Sequence, residues 1–137
     1  MKKYVRTTTI FLGVWFIASL LNGLLSGSCL AVVNSGTMND VMVTLFASLV
    51  LSFVFSGPVV GFVWFFAIMA QLNAMKGDPL FQFILRTAFF WAIAAAIVFI
   101  YTLGVEFKNA RYIVGLCIII SALTSILLFR KNLKSCE

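Results

Sequence analysis

The chain has 137 residues, 63% of them hydrophobic and 10% charged, with a formal net charge of +6 and a mean hydropathy of +1.12. Soluble domains run at about 45–50% apolar and about 25% charged, so a water-soluble fold of this length is excluded. The positive balance does not point to nucleic acid, because the basic residues flank long apolar blocks.

Charged side chains leave four gaps, at residues 7–39, 41–75, 87–105 and 112–129. A helix needs roughly 20 apolar residues to cross about 30 Å of hydrocarbon. Each gap is near or above that length. The apolar residues run in unbroken blocks, without the dyad alternation of a barrel strand, and helices are then the way to satisfy every backbone group in lipid. The expected fold is all-α and integral to a membrane. It is a single domain over residues 1–137, an up-down-up-down bundle of four transmembrane helices at about 8–33, 42–72, 82–104 and 111–130, the second of them kinked.

Helix 1 follows the basic start Lys2, Lys3 and Arg6. The stretch "LSGSCL" around Cys29 resembles a bacterial lipoprotein cleavage site, but Ser26 stands where leucine is usual. The apolar run is also longer than a signal h-region of about 7–15 residues, so the helix is expected to be retained. Near its middle lies Asn22. An amide facing lipid costs several kcal/mol, so Asn22 must face another helix or subunit, as a clamp or as a ligand-contacting group. Ser19, Asn22 and Ser26 share a face with Gly23 and Gly27 close by.

The polar turn "NSGTMND" leads into helix 2, with Asn39 or Asp40 as its expected cap. At about 30 residues, or roughly 45 Å, this helix exceeds the hydrocarbon thickness. Thr44, Ser48, Ser52 and Ser56 recur every four residues and lead into Gly57-x-x-x-Gly61. Pro58 cannot donate to the carbonyl of Val54, and its ring clashes there, which predicts the kink. Trp64, Phe65 and Phe66 are placed as an interfacial aromatic belt.

The loop "NAMKGDP" carries Lys76, with Gly77 and Pro79 as turn punctuation. Arg86 lies about one turn inside helix 3, where its stem can snorkel to the surface or pair with Asp78. Helix 3 offers Ala88, Ala92 and Ala96. Helix 4 offers Cys117, Ser121 and Ser125, then ends in Arg130, Lys131 and Lys134. Eight Lys/Arg thus share one side, against Lys108 and Arg111 on the other. The positive-inside rule puts both termini in the cytoplasm, in what reads as a bacterial cytoplasmic membrane with anionic head groups as partners.

Small residues at i, i+4 spacing mark every helix. Membrane helices associate through such stripes, which makes Ser26, Ser48, Ser52, Ser56, Gly57 and Gly61 candidate interface residues. The same hydroxyls, with Asn22 and the freed Val54 carbonyl, also suit the lining of a permeation path. Cys29 and Cys117 sit at similar depths. They are buried thiols at packing positions, or a disulfide pair if helices 1 and 4 touch. Cys136 lies in the tail.

The chain has no histidine, and no Asp or Glu lies deep in a span. Proton relays and cation exchange normally use intramembrane carboxylates, and small four-helix multidrug transporters carry a helix-1 glutamate that is missing here. No base is available to activate a serine. The expectation is therefore a non-enzymatic protein without a cofactor. It acts through helix association, as a homo-oligomer or an accessory subunit of a membrane complex. The alternative is a small oligomeric channel or uniporter with a Ser/Asn-lined path.

Overall fold

A computed structural model describes residues 2–34, 37–102 and 109–134; for Lys2, Lys3, Tyr4 and Asn34 the description covers the backbone alone. Glu106, Lys108 and Cys136 lie outside the described residues. The elements are α1 (Lys2–Asn34), α2 (Met38–Leu72), α3 (Gly77–Tyr101), α4 (Ala110–Leu128) and the short α5 (Arg130–Lys134). All are helical, and α1 to α4 are long and apolar enough to cross a membrane. In contact order they form a ring: α1 packs on α2 and α4, and α3 packs on α4 and α2.

The helix ends follow from local chemistry. Thr37, not Asn39 or Asp40, caps α2. Its hydroxyl accepts from the Asp40 amide, and the Asp40 carboxylate accepts from the Thr37 amide at 2.9 Å. Asp40 is thus the far half of a capping box. At the other end, the Met75 amide reaches the Ala70 carbonyl and the Ala74 amide reaches the Gln71 carbonyl, each at 3.1 Å. This is a Schellman closure with Ala74 at the left-handed position, φ 62°. Helix α3 begins at Gly77, earlier than the turn residues implied, because Pro79 falls in its first turn, where a missing N–H leaves no helical bond unmade. Helix α4 ends at Leu128, and after Phe129 the chain restarts as α5.

The stripes of small residues face inward. Ala88, Ala92 and Ala96 of α3 are buried, as are Cys117, Ser121 and Ser125 of α4 and Ser19 and Ser26 of α1. The larger core cluster joins Ile10, Phe11 and Val14 to Val63, Ala67 and Ala70, to Leu80, Phe81 and Ile84, and to Ile126 and Leu133. A much smaller cluster holds Leu30, Ala110 and Val114, with Phe99 against it. The outer face of α2 is apolar and exposed, through Phe46, Val50, Val54 and Phe65.

Arg86 is exposed, and Asp78 pairs with Lys134 instead. The reason is placement. Arg86 lies two turns further along α3, whereas α5 returns Lys134 to the start of that helix. Leu133, 1% exposed, anchors α5, and Arg130 and Lys134 lie over the Phe81 ring at 5.5 and 5.8 Å.

Candidate functional site

The polar residues singled out in helices 1 and 2 meet along the α1/α2 interface. Gly23 and Gly27 make the approach close. A Cβ on Gly23 would lie 2.8 Å from the Leu49 Cα, and one on Gly27 would lie 3.1 Å from the Ser48 Cβ and 3.2 Å from the Leu45 Cα. Glycine is required here because another backbone occupies the space.

Hydrogen bonds zip the same interface. Ser52 Oγ donates to the Ser19 carbonyl at 2.8 Å and therefore accepts from Asn22 Nδ2 at 3.1 Å. Ser19 Oγ donates to the Trp15 carbonyl at 2.7 Å, so in its 2.5 Å contact with Ser56 the proton comes from Ser56. Ser26 Oγ donates to the Asn22 carbonyl at 2.5 Å. On α4, Ser121 and Ser125 donate to the carbonyls of Ile118 and Ala122. Each of these hydroxyl protons is spent within the protein. The chain of donors also fixes the Asn22 amide: Nδ2 must face Ser52, which turns Oδ1 away. That oxygen is closed to solvent and has no partner among the described residues.

A cavity of about 350 Å³ lies between all four long helices. Asn22, Ser56 and Ser121 border it, but its walls are mostly Val59, Phe62, Trp91, Ala92, Ala95 and Phe99. Phe62 stacks on Trp91 with ring centroids 4.5 Å apart. Pro58 lies on the same wall, and α2 continues as helix through it. The Val54 side chain points outward, 62% exposed. Ser48 and Ser52 are buried against α1 and do not border the cavity.

Gly57 and Gly61 are the exception among the glycines. Their contacts within the chain are sparse: Gly61 has no atom within 4 Å of its Cβ position, and Gly57 has the Trp15 Nε1 of α1 at 3.8 Å. The close-packing role assigned to them belongs within the chain to Gly23 and Gly27, because α1 crosses nearest α2 around Leu45 and Leu49. A second groove, about 320 Å³, runs over Gly57 and Gly61 between Leu12 and Trp15 on α1 and Trp64 on α2. The indole nitrogen of Trp15 is buried there without a partner among the described residues.

Two polar contacts have no counterpart in the sequence reading. Thr7 and Gln71 exchange hydrogen bonds at 3.1 and 3.2 Å in the buried core, and Trp64 Nε1 donates to Thr8 Oγ1 at 3.2 Å. Gln71 carried a signal, since it is the one side-chain amide in residues 41–72. Of the basic residues, Arg6, Lys76, Arg86, Arg130 and Lys131 are exposed, and Lys134 is half-buried in its pair with Asp78.

The arrangement defines an all-helical, bundle-like chain with four helices able to span a membrane. No family model matches the chain, and no curated protein or solved structure matches it.

Proposed function

We propose that this is a non-enzymatic polytopic membrane protein that works through helix association, as a homo-oligomer or as an accessory subunit of a membrane complex. The groove over Gly57 and Gly61 carries the reading. A Gly-x-x-x-Gly pair lets a second helix approach closely in lipid. Here Gly61 has no intrachain neighbour and Gly57 meets only the Trp15 indole, while Gly23 and Gly27 serve the internal contact.

In this reading the helices run up-down-up-down, supported by the pairing of Thr7 with Gln71, Ser19 with Ser56 and Gly27 with Leu45. Pro58 bends α2 around the cavity. Both termini are cytoplasmic in a bacterial inner membrane, following the eight-to-two bias of Lys/Arg. The absence of histidine from the chain, and of carboxylates from its charge-free runs, supports the assignment without catalysis or a resident cofactor.

The test is oligomeric state in lipid nanodiscs at rising protein density. Gly61→Leu should abolish association while leaving helicity and unfolding of the isolated chain unchanged. A wild-type protein that stays monomeric, and that recovers no second membrane protein at fixed stoichiometry, rejects the reading. A reporter fused to the C terminus and found outside the cytoplasm rejects the orientation.

The second reading is a small oligomeric channel or uniporter. The cavity favours it, because Asn22 and Ser56 border a space between all four helices. Its apolar walls and the spent hydroxyl protons weigh against an ion path. Solute flux into liposomes, lost in Asn22→Leu with the oligomer intact, would establish it over association alone.

A further inference from the structure

We propose that the cavity between the four long helices binds a neutral, lipid-soluble phenol, an aromatic ring bearing a hydroxyl, that enters from the membrane. The cavity holds about 350 Å³. An apolar cavity of about 150 Å³ takes benzene, so by proportion this one takes about 14 non-hydrogen atoms. Small-molecule sites are concave and mostly apolar, with a few placed polar groups, and this lining has that character.

Depth selects the charge of the ligand. Ser121, the polar lining residue nearest a helix end, stands seven residues before Leu128, about 10 Å at 1.5 Å per residue. No charged side chain among the described residues borders the cavity, so an ion there would lack a counter-charge. The cavity opens between α2 and α3, where Phe55, Phe62 and Val98 of its lining are exposed. In a bilayer that side faces lipid, and the ligand arrives dissolved in hydrocarbon.

The lining selects the functional group. Phe62, Trp91 and Phe99 supply aromatic surface, which favours a ring over a plain chain. Ser56 donates its proton to Ser19, and Ser121 donates to the Ile118 carbonyl, so toward the cavity both can only accept. Trp91 brings an indole N–H. A hydroxyl answers both, donating to a serine while its oxygen accepts from an N–H. One chain is enough for such a site, so it stands or falls separately from helix association.

The test uses the full-length chain in nanodiscs with Trp15→Phe and Trp64→Phe, which leaves Trp91 as the one tryptophan. The probe is 4-bromo-2,6-dimethylphenol, whose bromine quenches at contact. Quenching should saturate, and the methyl ether of the same phenol, which cannot donate, should bind at least fivefold more weakly. Ala95→Leu fills the cavity and should weaken binding at least tenfold at unchanged helicity. At least one of Ser56→Ala and Ser121→Ala should bring phenol and ether within twofold. Displacement by 4-dodecylphenol marks a ring-headed lipid whose tail stays in the bilayer; lack of displacement marks a compact phenol. Should the tryptophan variants fail to fold, equilibrium dialysis of the unsubstituted chain against empty nanodiscs of the same lipid should count one saturable phenol per chain. Uptake that only tracks the lipid, equal binding of phenol and ether, or undiminished binding in Ala95→Leu overturns the proposal.

Discussion

Replacing Gly23 by alanine tests the packing between α1 and α2 most directly. The added Cβ would lie 2.7 Å from Leu49 Cδ2 and 2.8 Å from Leu49 Cα. The methyl can swing aside, but the Cα moves only if α2 moves. Ordinary contact at 3.4 Å demands a retreat of about 0.6 Å. That retreat stretches the Asn22–Ser52 hydrogen bond from 3.1 Å beyond useful reach and lengthens the 2.8 Å bond from Ser52 to the Ser19 carbonyl. Overpacking of this kind costs about 1–3 kcal/mol, and each weakened interhelical bond adds up to about 0.6 kcal/mol. Helix propensity returns at most about 1 kcal/mol. The net expectation is a loss of about 1–3 kcal/mol. It is measured by detergent-driven unfolding in mixed micelles, followed by tryptophan fluorescence at a dilution where chains do not associate. Gly61→Ala is the internal control, because its Cβ meets nothing within 4 Å, and it should be neutral or gain up to about 1 kcal/mol. Equal effects of the two substitutions, or a stabilised Gly23→Ala, would refute the assignment of the close crossing to Gly23.

Ala74→Gly should stabilise the chain by about 1 kcal/mol in the same assay, since Ala74 holds φ 62° where glycine pays no steric penalty. Ser52→Ala removes the shared hydroxyl between the Ser19 carbonyl and Asn22 and should cost about 1–2 kcal/mol, from two lost bonds and a buried amide left short of a partner; a neutral result would mean that the interface rearranges freely. Asp78→Asn should change stability only slightly in the same assay, because the Asp78 side chain is 68% exposed, and the difference from wild type should shrink in high salt.

The number and apolar character of the helices were legible because charge placement alone delimits them. Charges are the costliest groups to leave in hydrocarbon, so gaps between them mark spans almost regardless of side-chain detail. Helix ends were less legible. Thr37 and Asp40 cap α2 together, and a capping box is recognised only once the first helical turn is placed. Pro79 read as a turn residue, yet the first turn of a helix tolerates it equally well. The pairing of glycines was not legible at all. Gly23/Gly27 and Gly57/Gly61 have the same spacing, and which pair meets a backbone depends on where two helices cross. Crossing points are set by side chains on both partners. Gln71 was detectable by type, but its partner Thr7 lies 64 residues away.

The serine stripe of α2 shows why residue type left two functions open and geometry narrows them. A hydroxyl lining a permeation path must be able to exchange its partners as the solute passes. The proton of Ser52 is committed to the Ser19 carbonyl, and that of Ser56 to the Ser19 hydroxyl. Freeing either one breaks the contact that holds α1 against α2. Asn22 Oδ1, which has no partner among the described residues, is sealed from solvent. A path through these residues would therefore require α1 and α2 to separate, and the Gly23 and Gly27 crossings oppose that. Helix association needs no such opening. The association proposed above would use the face of α2 that carries Gly57 and Gly61, one and five residues beyond the last serine of the stripe.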